Sequence, residues 1–375
     1  MERPPDPMRI SPTMSVYITR QFVFWFLVIL GGMLALVLLL DTVELLRRAA
    51  AKTDATFQIV LGMAILKLPE IGQQIFPFGV LFGAMYTFFR MTRSQELVVV
   101  RAAGISVWQF MTPVLMTALA AGVIHITLLS PVFATMLTRY EQLESRYLRG
   151  QQSSLDVARS GVWLRQVQEG ENGNYLIHAE SVGPGKPVNL RTVTILLFNG
   201  DNQIPVGRLD SDTAELQKGR WVLRNAWLNR PGRPTEHVDV TALPTDLTEA
   251  RIQESFAQPD TLSFWELPGF IQTLEQTGLS SVRHRMYYES MLAVPAFFCA
   301  MVFLAGTFSL RHTRRGGTLQ MLGTGLLTAL VLFVSQNIIL ALGRSGVLPV
   351  FLAAWAPAGI CLMLGAAALL HLEDG

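Results

Sequence analysis

Six stretches of this chain are apolar with almost no interruption over about the 20 positions a helix needs to cross roughly 30 Å of hydrocarbon. They run from Phe22 to Leu40, from Ile71 to Phe89, within Ala102 to Thr138, from Ser290 to Leu310, from Gly316 to Gly343 and from Ser345 to Leu370. Pro77, Gly79 and Gly83 inside the second, with Pro69 at its start, predict a kinked and closely packed helix. The third carries no charge other than that of a protonated His125.

Between the third and fourth runs the pattern changes. From about 139 to 285 charges recur every few positions, and no segment is long and apolar enough to cross a bilayer. Tyr175, Ile177 and Ala179 alternate with Leu176, His178 and Glu180, and Val193, Ile195 and Leu197 alternate with Thr192 and Thr194, the period of half-buried strands. GENGN, GPGKP, NGDN and RPGRP punctuate them as turns. Short strands with Gly and Pro between them predict a helix-poor sandwich or open barrel, jelly-roll-like. Trp221 and Trp227 share a strand face by parity and read as core; aromatic walls for acyl chains are the other use of such a pair. Ser263 to Thr277 predicts an amphipathic helix with Phe264, Leu267, Phe270, Ile271 and Leu274 on one face. The fold class is therefore an α-helical polytopic membrane protein with an inserted all-β domain. Its parts are helices one to three over 1–138, β domain over 139–262, connecting helix over 263–285 and helices four to six over 286–375.

Composition agrees with a membrane: half of the 375 residues are hydrophobic, 15% are charged, and mean hydropathy is positive. The net charge of +2, with no basic tract, gives no basis for nucleic-acid binding. Cys299 and Cys361 lie inside apolar runs and are assigned packing rather than a disulfide. No A-x-A-like site follows the first run, which is longer than a signal-peptide core, so it is expected to stay in the mature protein.

Orientation follows from the basic residues of the short loops. With the N-terminus inside, the inner segments hold Arg3, Arg9, Arg20, Arg90, Arg93, Arg101, Arg311, Arg314 and Arg315. The outer ones hold only Arg47, Arg48, Lys52 and Arg344. This places both termini in the cytoplasm and the β domain outside. Arg47, Arg48 and Lys52 after span one run against that trend, and Arg139 and Arg146 follow span three. Cations at that level either snorkel as ordinary anchors or meet anionic lipid. Lys67 and Glu70 flank Pro69; they are an intramembrane pair or, the favoured alternative, mark where an interfacial helix over Phe57 to Leu68 gives way to the span.

No catalytic constellation appears. GPGKP at 183–187 lacks the spacing of a phosphate loop, and the six histidines have no zinc-ligand spacing, so neither a metal nor hydrolysis by this chain is expected. The informative stretch is TRSQELVVVRAAGIS, Thr92 to Ser106. Thr92 with Gln95 fits a capping box, Glu96 suits a first helical turn, and Gly104 would end a short helix. Its spacing alone admits a plain interfacial connector.

Within it, SQELVVVRAAGIS closely resembles the coupling-helix segment of the LptF/LptG permease family, which follows an S-E-L-x-x-x-R-A-x-G-x-S-like pattern. LPEIGQQIFPFGVLFG, Leu68 to Gly83, resembles the proline-bearing second helix of the same family, and the order of three helices, β domain and three helices matches over essentially the whole chain. ALGRSGVLPVFLAAWAPA and the closing HLEDG resemble the LptG branch more than LptF. The resemblance implies a permease without its own cofactor, paired with an LptF-like paralogue and driven by an LptB-like ATPase dimer that binds the ATP and Mg. Ser94, Glu96, Leu97, Arg101, Ala102 and Gly104 would form the ATPase dock, Glu96 pairing with a basic residue of that partner. Lipopolysaccharide would enter from the inner membrane among membrane lipids and leave through the β domain toward LptC/LptA-like bridge proteins. Arg47, Arg48, Lys52, Arg139 and Arg146 are then candidate contacts for its phosphates. A non-transporting scaffold that docks periplasmic proteins by edge-strand addition is the other class. An exporter of the MacB type would put its large domain after the first helix, whereas here three helices precede it.

Overall fold

A computed structural model describes residues 12–50, 56–144, 147, 154–158, 161–166, 174–183, 188–198, 205–217, 219–245, 258–276, 280–309 and 318–374. It divides into two units, residues 1–140 with 285–375 and residues 141–284.

Among its described residues the first unit holds six helices long and apolar enough to cross a membrane. α1 (Pro12–Ala49) and α2 (Phe57–Arg93) form an antiparallel hairpin. Gly79 and Gly83, one turn apart on α2, bring the backbones together: a Cβ at Gly83 would lie 2.8 Å from the Phe26 Cα, and one at Gly79 would lie 3.2 Å from the Leu30 side chain. Pro69 and Pro77 are both buried inside α2, which runs through them. The separate interfacial helix expected over Phe57 to Leu68 is therefore corrected to the first part of one 37-residue helix. Neighbouring helices and local adjustment satisfy the carbonyls that a proline frees, so Pro69 does not break it.

α3 (Glu96–Ala102) is the short helix before the third span, which consists of α4 (Val107–Ile124), a π turn (His125–Leu129) and α5 (Ser130–Glu144). Pro131 has no N–H to give the carbonyl four residues back, and the π turn sits where that ladder fails. Just before it, a Cβ on Gly122 would meet the Pro295 Cα at 2.6 Å, so the third span lies backbone to backbone against α7 (Val282–Ser309). α8 (Thr318–Arg344) ends in a turn with Gly346 at φ +79°, and α9 (Val350–Asp374) begins after Pro349. The last run therefore becomes helical about five residues later than its apolar pattern begins. Phe22, Phe88, Phe110 and Phe298, from α1, α2, α4 and α7, share one core with smaller residues around them.

Among its described residues the second unit carries seven strands: β1 (Ser154–Ala158), β2 (Gly161–Gln166), β3 (Asn174–Gly183), β4 (Asn189–Phe198), β5 (Pro205–Gln217), β6 (Arg220–Asn229) and β7 (Glu236–Pro244). They form one antiparallel sheet in chain order. The described strands thus make an all-β meander with no Greek-key crossover. The sheet nevertheless folds over, and the device is a crease. Glu180, Thr192, Asp212, Asn225 and Asp239 occupy one row across β3 to β7, and at each the paired register skips. Thr192 and Asn225 take φ of +50° and +54°. Across that row the buried parity switches, from Val193 and Ile195 to Leu190 on β4, from Leu209 and Ser211 to Ala214 and Leu216 on β5, and from Ala226 to Leu223 and Trp221 on β6. Both halves feed one core. The Tyr175 hydroxyl donates to the Pro244 carbonyl, which lies on the other side of the crease, so the halves meet face to face as sheets do at a bent corner.

The crease also corrects the tryptophan pair. Trp221 is fully buried, whereas Trp227 is 48% exposed and stacks on His237 with ring centroids 4.5 Å apart. The left-handed backbone at Asn225 puts the two indoles on opposite faces.

Of the amphipathic helix expected over Ser263 to Thr277, Leu267–Gln276 forms as α6; Ser263 to Glu266, with Phe264, precede it as a turn, and Thr277 lies outside the described residues. Ser263 precedes it, its hydroxyl and backbone N–H both donating to the Glu266 carboxylate, at 2.7 Å and 3.0 Å. These bonds hold Glu266 below the usual carboxylate range. Leu267 and Leu274 are fully buried, and Phe270 packs on His284.

Candidate functional site

Among the described residues no group of His, Cys, Asp and Glu could hold a metal ion. The residues singled out in the sequence fall at two levels of the α1–α2 hairpin.

At the first level, α2 ends at Arg93 and Ser94 caps it. The Thr92–Gln95 capping box expected from sequence is not formed. Thr92 is still in α2 and donates its hydroxyl to the Phe88 carbonyl at 2.8 Å, while Gln95, at φ +61°, turns the chain into α3 without a side-chain cap. The box that does form is Ser106 with Gln109, at the start of α4. The same residue pattern stood at both places; only the second follows a chain already out of helical conformation.

α3 then has two faces. Leu97 is buried in the core of the membrane unit and anchors the helix, while Val98, Val99, Arg101 and Ala102 are exposed, Val99 to 67%. Glu96 Oε1 accepts the Ser94 hydroxyl at 2.8 Å and the Tyr17 hydroxyl, from α1, at 3.4 Å. Gly104, at φ +81°, closes the helix: its N–H donates to the Arg101 carbonyl at 2.9 Å and that of Ile105 to Val100 at 3.3 Å, a Schellman pair. A β-carbon would be strained at that φ. Tyr17 was not foreseen, and nothing in the spacing of the first helix marks it.

At the second level, Lys67 Nζ lies 2.7 Å from Asp41 Oδ1, joining α2 to α1, and 5.9 Å from the Tyr140 ring on α5. The favoured sequence reading of Lys67 as a marker of a helix boundary is thus replaced by an interhelical ion pair, its side chains only 18% and 10% exposed. Asp41 was missed; its signal was a carboxylate directly after an apolar run, with a lysine at matching depth in the next helix. Further along α1, Glu44 binds Arg47 through two hydrogen bonds of 2.9 Å and Arg48 through one of 2.9 Å. Arg139 is exposed on α5, beside Tyr140. Lys52 and Arg146 lie outside the described residues. The structure therefore gathers Asp41, Lys67 and Tyr140, and leaves Arg47 and Arg48 tied to their own helix with both guanidinium groups open to solvent.

Residues 16–371 match the family described as lipopolysaccharide export system permease LptF/LptG. The chain is 24% identical over 253 residues to the protein named lipopolysaccharide export system permease protein LptG of Escherichia coli strain K12, an alignment that covers 65% of this chain and 66% of that one, just under two thirds. It is 22% identical over 335 residues to the LptG of Haemophilus influenzae, covering 87% and 89% of the two chains. With six membrane helices, a creased β insert after the third and a short amphipathic helix after the second, the chain belongs to the LptF/LptG permease family.

Proposed function

We propose that this chain is the LptG-type permease subunit of a transporter that extracts lipopolysaccharide from the inner membrane, working with an LptF-like paralogue and an LptB-like ATPase dimer. Both termini and α3 face the cytoplasm, and the β domain faces the periplasm, where LptC/LptA-like proteins receive the lipid. The chain hydrolyses nothing; ATP and Mg belong to the ATPase.

The observation that carries this reading is α3. A helix of seven residues held in the membrane core by Leu97, presenting Val98, Val99, Arg101 and Ala102 outward and a carboxylate at its first turn, is a compact protein dock. Glu96 is already oriented by Ser94 and Tyr17, so a partner cation meets a fixed acceptor. The lipid phosphates would be met by Arg47, Arg48 and Arg139, whose heads reach solvent, with Lys52 and Arg146 completing the set. The two arginines held by Glu44 would have to exchange that partner for phosphate.

The test is copurification from membranes with and without Glu96→Lys. The wild-type chain is expected to retain a paralogue and a small ATPase and to support ATP-dependent lipopolysaccharide release. Glu96→Lys should lose the ATPase while the paralogue stays bound; ATPase binding and export at wild-type levels would overturn the assignment. Charge reversal at Arg47 and Arg48 should weaken crosslinking to lipopolysaccharide with the complex intact, and unchanged crosslinking would remove them from the lipid path.

A further inference from the structure

Where α2 ends, Tyr86, Phe89, Arg90, Arg93 and Ser94 line an open-sided cavity of about 280 Å³. The spacing of the first four, three and four residues apart, puts them on one helix face. α1 packs beside this face: the Trp25 ring is tilted against Tyr86 with centroids 4.1 Å apart, and the Arg90 Nη1–H donates to Gln21 Oε1 at 3.0 Å.

The chemistry of this cavity is divided along the membrane normal. The apolar run of the second span stops at Phe89, and Arg90 and Arg93 follow at once. Aromatic rings therefore lie on the hydrocarbon side of the cavity and guanidinium groups on the water side, the arrangement that suits the glycerol-phosphate level of a bilayer. Neither arginine has a carboxylate partner: Arg90 is held by a neutral amide and Arg93 makes no ion pair among the described residues. The Ser94 hydroxyl donates to Glu96 at 2.8 Å, so the two guanidinium groups are the donors the cavity offers to an anion. Two cations beside aromatic rings, neither paired with a carboxylate among the described residues, recognise a phosphate ester that carries an apolar tail.

We infer that this cavity binds the phosphate headgroup of one anionic phospholipid, phosphatidylglycerol or a lipid of the same charge, at the membrane surface beside α3. The site is independent of the lipopolysaccharide path, which the proposed function assigns to the other end of the hairpin, and it does not depend on α3 being an ATPase dock.

The test uses the full chain in nanodiscs of phosphatidylethanolamine and phosphatidylglycerol, released into native mass spectrometry. Wild type is expected to retain one phosphatidylglycerol more than the Arg90→Gln/Arg93→Gln double variant, whose occupancy should fall by about thirtyfold, from roughly one decade and a half for two interfacial arginines. Arg90→Lys/Arg93→Lys should keep most of the occupancy, which separates loss of charge from loss of fold, and Arg344→Gln, at the other membrane surface, should leave it unchanged. Short-chain phosphatidylglycerol should displace the bound lipid, and inorganic phosphate at the same concentration should not. Equal retention by wild type and the Gln double variant would overturn the site. Equal displacement by inorganic phosphate would overturn the lipid in favour of a free anion. A photocrosslinker at position 93 that reaches a cytoplasmic protein and no lipid would overturn it in favour of a protein face.

Discussion

Truncating Lys67 to Met isolates the Asp41–Lys67 ion pair at the second level of the hairpin. With Nζ 2.7 Å from Asp41 Oδ1, an effective dielectric of about 20 gives a gross attraction of about 6 kcal/mol. Desolvating the two groups takes back most of that, so the pair itself contributes little; the large effect comes from breaking it. Among the described residues Asp41 Oδ2 has no hydrogen-bond partner, so the carboxylate depends on Lys67 for its compensation. Lys67→Met leaves it nearly buried and alone, and should cost about 3 kcal/mol, the lower end for such pairs because some solvent reaches both side chains. Asp41→Asn should cost less, about 1–2 kcal/mol, because Lys67 keeps the Tyr140 face and a stem long enough to move its ammonium toward water. The double variant should fall closer to wild type than the sum of the singles, with a coupling of about 2 kcal/mol. Unfolding of the purified chain by sodium dodecyl sulfate, followed by hydrogen exchange in α1 and α2, reads these differences. Additive single effects, or a Lys67→Met variant within about 0.5 kcal/mol of wild type, would refute the reasoning.

Gly83→Val should destabilise the same hairpin by about 1–3 kcal/mol, because its Cβ falls 2.8 Å from the Phe26 backbone, whereas Gly62→Ala, with open space around it, should be neutral or stabilising by up to about 1 kcal/mol; thermal unfolding in detergent compares them. In the β unit, Trp221→Ala should cost about 3–5 kcal/mol and accelerate hydrogen exchange across β4 to β6, and Trp227→Ala should leave that exchange almost unchanged. The depressed Glu266 carboxyl stabilises α6 above the ordinary carboxylate pKa of about 4.3, and this is lost as pH falls through the lower folded value. Ser263→Ala removes its strongest hydrogen bond, so the gap in α6 exchange protection between pH 7 and acid should narrow; a gap of wild-type size would contradict the assignment.

Much of this was legible from the chain because it depends on averages over many residues. Six uncharged runs set six spans, and alternation at 175–179 and 193–197 set strand faces, since burial on one side rewards every second residue. Gly104 marked the end of α3 because only glycine takes its φ cheaply. What escaped was decided by single residues in tertiary context. Asn225 adopts left-handed backbone, so parity counted through it from Trp221 put Trp227 on the wrong face. The box pattern at Thr92–Gln95 lost because α2 is still wound there, held by α1 and by the core, and Ser106 is the first such residue with extended backbone. Asp41 and Lys67 are 26 residues apart in sequence and meet only because glycines at 79 and 83 seat one helix on the other.

That last dependence ties the two levels of the candidate site together. α2 runs without a break from Lys67 to Arg93, about 39 Å at 1.5 Å per residue, and its first partner along that length is always α1. At one end α1 gives Tyr17 to Glu96 and Gln21 to Arg90; in the middle its Phe26 and Leu30 fill the glycine seats; at the other end Asp41 holds Lys67. A force applied to α3 under the proposed function cannot bend this hairpin locally without opening a glycine seat or unpairing a nearly buried ion, each of which costs more than a small rotation of the whole. Under the proposed function the hairpin would then turn as one body and carry the residues near Asp41 with it. Prolines at 69 and 77 do not interrupt that body, because both are buried where neighbouring helices brace them.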